Sequence, residues 1–334
     1  MSGVQEGQII TFYSYKGGTG RTMALANTAW ILASTGRKVL TIDWDLESPG
    51  LHKFFHPFLT AGISDMPGVI EMIQEYAWAA VLDEPRSDDW HKEYAQVSPY
   101  VTTLKWSEFP GEGRLDFMSA GRQNRDYSSL IGSFDWDHFW EQLGGGLFFN
   151  ALRADVKQNY DYVLIDSRTG LSDIAEICTM HLPDALVDCF TLSDQSIEGA
   201  ANVARDVSRA DTRNIEIFPV PMRIEEGEKE KLDAGRAYAW SKFDKFLSGA
   251  GKPILIATGR PWRSPTSSST PSRRPSPPSA TFPDRRGRCS RPTRASRKSS
   301  PRARSVLRRS TRSSDRATEV CSPGSGRSPP VTSS

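Results

Sequence analysis

The stretch SYKGGTGRTMALAN (residues 14–27) sets three glycines, a lysine, an arginine and two threonines into one short turn. Before it runs QIITFYS (8–14), a short apolar segment rich in β-formers, the pattern of a buried parallel strand. After it, TMALANTAWILASTG places Met23, Ala26, Ala29, Trp30 and Ala33 at helical spacing, and Gly36 stops the helix. A glycine loop between a buried strand and a helix lets successive backbone N–H groups converge on an anion, and the helix dipole adds to the attraction. Gly17, Gly18 and Gly20 permit a close approach that a Cβ would block. Thr22, in the first helical turn, is placed to offer its hydroxyl to Mg²⁺. The ordinary phosphate-loop pattern GxxxxGK[ST] nevertheless fails twice. Tyr15 stands where its first glycine belongs, and Arg21 where its lysine belongs. Arginine keeps the charge and favours bidentate phosphate contact, but it is longer and planar. Phosphate binding is therefore expected to survive the exchange better than catalytic geometry.

Outward from the loop, KVLTIDWD (38–45) predicts a second buried strand ending in two acids. Strand, loop, helix and strand make a βαβ unit with a parallel sheet. Further strands are predicted at RLDFMSAG (114–121), DYVLIDSRTG (161–170, ending at Asp166), DALVDCFTL (184–192) and IEIFPVP (215–221). One or two helices are expected over 139–160, and others over about 195–210 and 227–248. Residues 52–113 mix aromatic residues with acids and are expected as helices and loops over one sheet edge. The fold class is α/β, a mostly parallel sheet with helices on both faces. In such sheets ligands bind at the carboxyl ends of the strands. That places Asp45 near the terminal phosphate and Asp166 on the metal side, although a solvated strand-end acid needs no such role. In SDQSIEGA (193–200) and PMR (221–223), Ser193, Asp194 or Arg223 lie where a base could be met, but ordinary loop polarity accounts for them too. The cluster Phe134, Trp136, Phe139 and Trp140 suits a core or an interface better than a base-stacking platform.

The 334 residues carry a net charge of +2, which hides an asymmetry. From Arg260 onward there are 17 Arg, one Lys, two Asp and one Glu, a net charge of +15. The preceding 259 residues carry −13. The expected division is a nucleotide-binding domain over 1–258, with a variable region at 52–150, and a disordered Arg/Ser/Pro-rich tail over 259–334. The tail offers too little apolar surface to offset chain entropy. Its abrupt start after KPILIATGR, before the fold should close, suggests a frame-shifted translation. With permitted codons, 261–280 can be written in another frame as a strand leading into an amphipathic helix. The alternative is a basic arm that meets nucleic acid through phosphate contacts without sequence preference. MSGVQEGQII shows no secretory signal, and no stretch has the ~20 apolar residues of a membrane helix, so a cytoplasmic setting is expected. None of the four cysteines forms a CxxC pair, and the five histidines show no metal spacing.

The loop resembles the deviant Walker A motif of the ParA/MinD family of ATPases, written KGGxGK[ST]. IDWDLESPG (42–50) is similar to the segment after that family's second strand, and YVLIDSRTG (162–170) to its Walker B strand. The motifs fall in the right order across residues 9–221. The resemblance implies that Lys16 reaches the partner's phosphates across a nucleotide-sandwiched homodimer. It implies that Asp45 orients the attacking water and that Asp166 holds the Mg²⁺ shell, with Gly170 in a switch region. Lys16, Gly17, Gly18, Thr19, Gly20, Arg21, Thr22 and Met23 become the expected ATP contacts, with Thr22 and Asp166 on the metal. The loop KGGxGR, the helix TMALAN and the strand end DWDLE also resemble a bacterial subgroup, which makes Arg21 a subgroup trait.

The function implied is a Mg²⁺·ATP-binding, dimerising switch with slow hydrolysis, acting on an unidentified protein partner through 52–150. A pseudo-ATPase that binds nucleotide as a structural signal is the rival, because of Arg21. A bacterial tyrosine kinase would carry a C-terminal tyrosine cluster, which this tail lacks. An iron-protein reductase needs cluster cysteines, which Cys178 and Cys189 do not offer by position.

Overall fold

The computed structural model describes residues 6–82, 87–170, 173–210, 213–224, 229–247, 254–255 and 261–262. The chain divides by compactness between Ala280 and Thr281, and the second unit lies outside the described residues. So does nearly all of the expected tail, with its frame-shift reading.

Element order is β1 (Gln8–Tyr13), α1 (Arg21–Ser34), β2 (Lys38–Asp43), α2 (His52–Phe55), α3 (Val69–Val81), α4 (His91–Tyr94), β3 (Val101–Thr103) and β4 (Arg114–Met118). There follow α5 (Tyr127–Ser133), α6 (Trp136–Glu141), α7 (Gly145–Asn159), β5 (Tyr162–Asp166), α8 (Asp173–Glu176) and a π-helical turn, Ile177–His181. The last are β6 (Ala185–Phe190), α9 (Asp194–Ala210), β7 (Glu216–Pro221), α10 (Lys229–Leu247), β8 (Ile254–Leu255) and β9 (Pro261–Trp262). Seven strands form one sheet in the order β3-β4-β2-β5-β1-β6-β7. All neighbours are parallel except β3, which pairs antiparallel with β4. β8 and β9 form a separate antiparallel pair.

The apolar strands of the sequence are the central strands of this sheet, because a strand covered on both faces carries apolar residues in both directions. Leu40, Ile42, Val163 and Ile165 share a core with Ile70 and Ile73 of α3 and Phe148 and Leu152 of α7. α1 packs on β1, β2 and β5, and its buried residues include Leu25 and the small Ala26, Ala29 and Ala33, which let its backbone lie close to the sheet. Phe139 is fully buried, and Phe134, Trp136 and Trp140 pack against the same core, so this aromatic cluster is core. The expectation for 52–113 needs one correction: Val101–Thr103 is an edge strand. Three residues behind a proline give too short a periodic signal to separate a strand from a loop. The aromatic residues of this region have a structural task as well. Phe58, Trp106 and Phe109 gather around Trp30 of α1 with ring centroids 5.0–5.3 Å away.

Asp188 departs from the apolar rule. It lies inside β6, opposite Tyr13 of β1 and Pro219 of β7, fully buried, with no hydrogen-bond partner for either carboxylate oxygen. Burial pushes its pKa well above the ordinary carboxylate range. The folded protein thus keeps a proton that the unfolded chain releases above about pH 4, so this residue's penalty grows as pH rises from there. Asp188→Val is expected to raise the unfolding free energy by about 1–3 kcal/mol near neutral pH. The gain should shrink toward pH 4; a pH-independent or negative change on denaturant unfolding would contradict this account.

Candidate functional site

β1 ends at Tyr13, and residues 14–20 turn from the sheet into α1. Gly18 and Gly20 take φ of 73° and 98°, where an L side chain is strained, so these two positions require glycine. Gly20 also caps α1, with no side-chain cap and no acid in the first turn. The N–H groups of that turn therefore face outward without an anionic side chain, as an anion site requires. Tyr15 packs on the backbone of Gly199 in α9: a Cβ at Gly199 would lie 2.1 Å from the ring. The ordinary motif's first glycine is here a tyrosine because α9 supplies the missing space.

At the carboxyl ends of β2 and β5 stand Asp43, Asp45 and Asp166, with Asp43 opposite Asp166 in register. Arg21 is 6% exposed and lies among them. Its Nε donates to Asp166 Oδ1 at 2.6 Å, and its Nη2 donates to Asp45 Oδ2 at 3.3 Å. Its third nitrogen, Nη1, is buried with no hydrogen-bond partner. Burial opposes the guanidinium charge, but Asp166 and Asp45 outweigh it and hold the arginine pKa above its ordinary value. Burial raises the Asp166 pKa against the pull of Arg21 and a hydrogen bond from Thr22. Asp43 is pushed up to about 8, first by burial and then by the Asp166 charge. Its Oδ2 accepts the N–H groups of Gly50 and Leu51, both at 3.0 Å, which ties the segment after β2 to the sheet.

The structure thus gathers Arg21, Thr22, Asp45 and Asp166 at one point. Lys16 is directed elsewhere, its Nζ donating to the Gln195 side chain at the start of α9. Thr19 is buried, Gly17 and Gly18 are exposed, and Met23 turns an exposed side chain outward, which leaves only its backbone for a ligand. Gly170 has a φ of 80°, and its carbonyl accepts a hydrogen bond from Tyr13 at 3.1 Å. Ser193 meets Thr191, and its carbonyl accepts N–H groups of the first turn of α9, in keeping with local loop polarity. Arg223 is exposed, with a φ of 51°. Cys178 and Cys189 are free and buried, and burial raises both thiols. Asp43, Gln195 and Gly199 were missed as parts of the site. Gly199 had a legible signal, since a glycine inside a helical pattern marks close packing. Gln195 had none.

The residues fit an anion and a divalent cation. Arg21 Nη1 is a buried donor without an acceptor, and the Thr22 hydroxyl and Asp166 carboxylate are the hard oxygen ligands that Mg²⁺ takes.

A glycine loop joining the central strand of a parallel sheet to a helix, with acids on two adjacent strand ends, is the architecture of the P-loop NTPase fold. The fold resembles that of ParA/MinD-type proteins, and part of the sequence is similar to relatives of that kind. It is 26% identical over 179 residues to the septum site-determining protein MinD of Helicobacter pylori, an alignment covering 54% of this chain and 51% of that protein. It is 50% identical over 199 residues to an uncharacterized ATP-binding protein of Methanocaldococcus jannaschii, covering 58% and 57%. The chain thus spans about half the length of these curated relatives. Among solved structures, a plasmid partition protein from Borrelia burgdorferi superposes with a TM-score of 0.50 at 17% identity, over 75% of this chain and 89% of that one. No family model matches the chain. No described helix is long and apolar enough to cross a membrane.

The contact between Tyr15 and Gly199 is open to a direct test. Gly199→Ala is expected to destabilise the protein by about 1–3 kcal/mol through overpacking, and Tyr15→Ala in the same chain should recover most of that loss. Strict additivity in a double-mutant cycle on denaturant unfolding would show that the two residues are not coupled.

Proposed function

We propose that the protein is a nucleotide-switched ATPase that binds ATP with Mg²⁺ and positions or regulates a partner assembly. The observation that carries this is the placement of Arg21, Thr22 and Asp166 at the outlet of an uncapped glycine loop, with one guanidinium nitrogen left for an anion. Backbone N–H groups of residues 17–23 would hold the phosphates, with Arg21 contributing charge. Thr22 and Asp166 would hold the metal, which would neutralise phosphate charge. Asp45, 15% exposed at the rim, is placed to orient water. Lys16, on the loop beside two exposed glycines, would leave Gln195 to act in a second copy of the chain. The variable region 52–150 is the proposed partner surface, and a cytoplasmic setting suits this reading.

A weaker reading is a pseudo-ATPase that uses nucleotide as a structural signal, favoured by the engagement of Arg21 with both acids. Single-turnover hydrolysis by purified protein separates the two.

Equilibrium titration with a fluorescent ATP analogue should show affinity enhanced by Mg²⁺, and Thr22→Ala should lose that enhancement by about tenfold or more. Unchanged metal-dependent binding would remove Thr22 from the site. In sedimentation with a non-hydrolysable analogue, wild type should dimerise and Lys16→Ala should remain monomeric. Equal dimerisation of the two would refute action across the interface.

A further inference from the structure

We infer that Arg21 is the resident cation of the metal site: in the nucleotide-free protein its guanidinium occupies the charge position among Asp166 and Asp45 that a divalent ion would take. Nucleotide must therefore engage Arg21 before the carboxylates become free to bind metal. The inference rests on the nucleotide-binding reading above and adds an order to it.

Two carboxylates meet where β2 and β5 end side by side, and Asp166 is 1% exposed. Like charges so placed need a cation between them, since a buried carboxylate without a partner is costly. Arg21 meets that need from the first position of α1, bridging Asp166 at 2.6 Å and Asp45 at 3.3 Å. Its Nε bonds the Asp166 carboxylate at Oδ1. A dication brought to the Asp166 carboxylate beside the Arg21 guanidinium would meet like charge at close range in a buried site. Direct coordination of a divalent cation requires Arg21 to withdraw.

The unpartnered Nη1 supplies the release. A buried guanidinium nitrogen without an acceptor is unsatisfied. A phosphate oxygen arriving at the mouth of the loop would satisfy it. Arginine forms bidentate pairs with phosphate, so such an anion competes with Asp166 and Asp45 for the same fork. Lysine at this position would place a compact point charge on a flexible stem, without the planar fork by which arginine holds two acids in fixed directions. The substitution that breaks the standard motif thereby couples metal entry to phosphate arrival.

The test compares Mn²⁺ binding, by electron paramagnetic resonance of the free ion and by thermal shift, in wild type, Arg21→Lys and Arg21→Gln without nucleotide. Wild type should bind no Mn²⁺ at the site and gain no thermal stability from it. Arg21→Gln should bind Mn²⁺ at least about tenfold more tightly and be stabilised by it. Arg21→Lys should fall between. Adding Asp166→Asn to Arg21→Gln should abolish the gain, which fixes the ion to this carboxylate. Wild type with a non-hydrolysable ATP analogue should then bind Mn²⁺. Equal Mn²⁺ affinity of nucleotide-free wild type and Arg21→Gln would overturn the inference, as would an absence of binding in all three. If wild type binds no ATP analogue at all, the nucleotide-binding reading fails, while the three-protein comparison without nucleotide still decides the role of Arg21.

Discussion

The ion pairs of Arg21 with Asp166 and Asp45 tie together three elements that the rest of the site depends on. α1 begins at Arg21, β5 ends at Asp166, and Asp45 lies just past the end of β2. Without a cation here, the ends of two adjacent parallel strands would bring like charges together at a buried point. Arg21 pairs with two of these acids, while burial and the Asp166 charge push the third, Asp43, up to about 8. Burial makes this cluster sensitive, because removing one member of a buried ionic group leaves another charge uncompensated.

The loop that presents Arg21 is held from both sides. Its left-handed glycines, Gly18 and Gly20, turn the chain into α1. Tyr15 is seated on Gly199, and Lys16 meets Gln195, so both anchors come from the first turns of α9. The phosphate loop is thus braced by an element more than 170 residues away in sequence, and movement of α9 would be felt at the loop. The segment after β2 is tied in turn by Asp43 to the N–H groups of Gly50 and Leu51. Lys16, Arg21 and Asp43 are thus each held by contacts beyond their immediate sequence neighbours.

Much of the architecture was legible in advance because its signals are local. Six parallel strands were marked by apolar runs, and α9 and α10 were expected within two residues of their ends. The edge strand Val101–Thr103 was not legible: it is short, antiparallel and partly exposed, so neither length nor an apolar run distinguishes it. The aromatic residues of 52–113 looked irregular because their order appears only in three dimensions, around Trp30 and in the stack of Tyr76 on Trp90 at 4.9 Å. The buried acid Asp188 ran against strand patterning, and nothing in DALVDCFTL announces that both its oxygens lack partners.

By itself the sequence determined the βαβ plan, the glycine loop and the candidate acids Asp45 and Asp166. Hydrophobic periodicity, glycine spacing and strand-end acids act over a few residues and survive without knowledge of the fold. Only the tertiary structure decided what Arg21 does in the free protein. Its partners lie 24 and 145 residues away and reach it because β2 and β5 are neighbours in the sheet. Charge pairing at that range depends on strand order and burial, and a residue's type cannot reveal which of two available anions, a carboxylate or a phosphate, it will meet first.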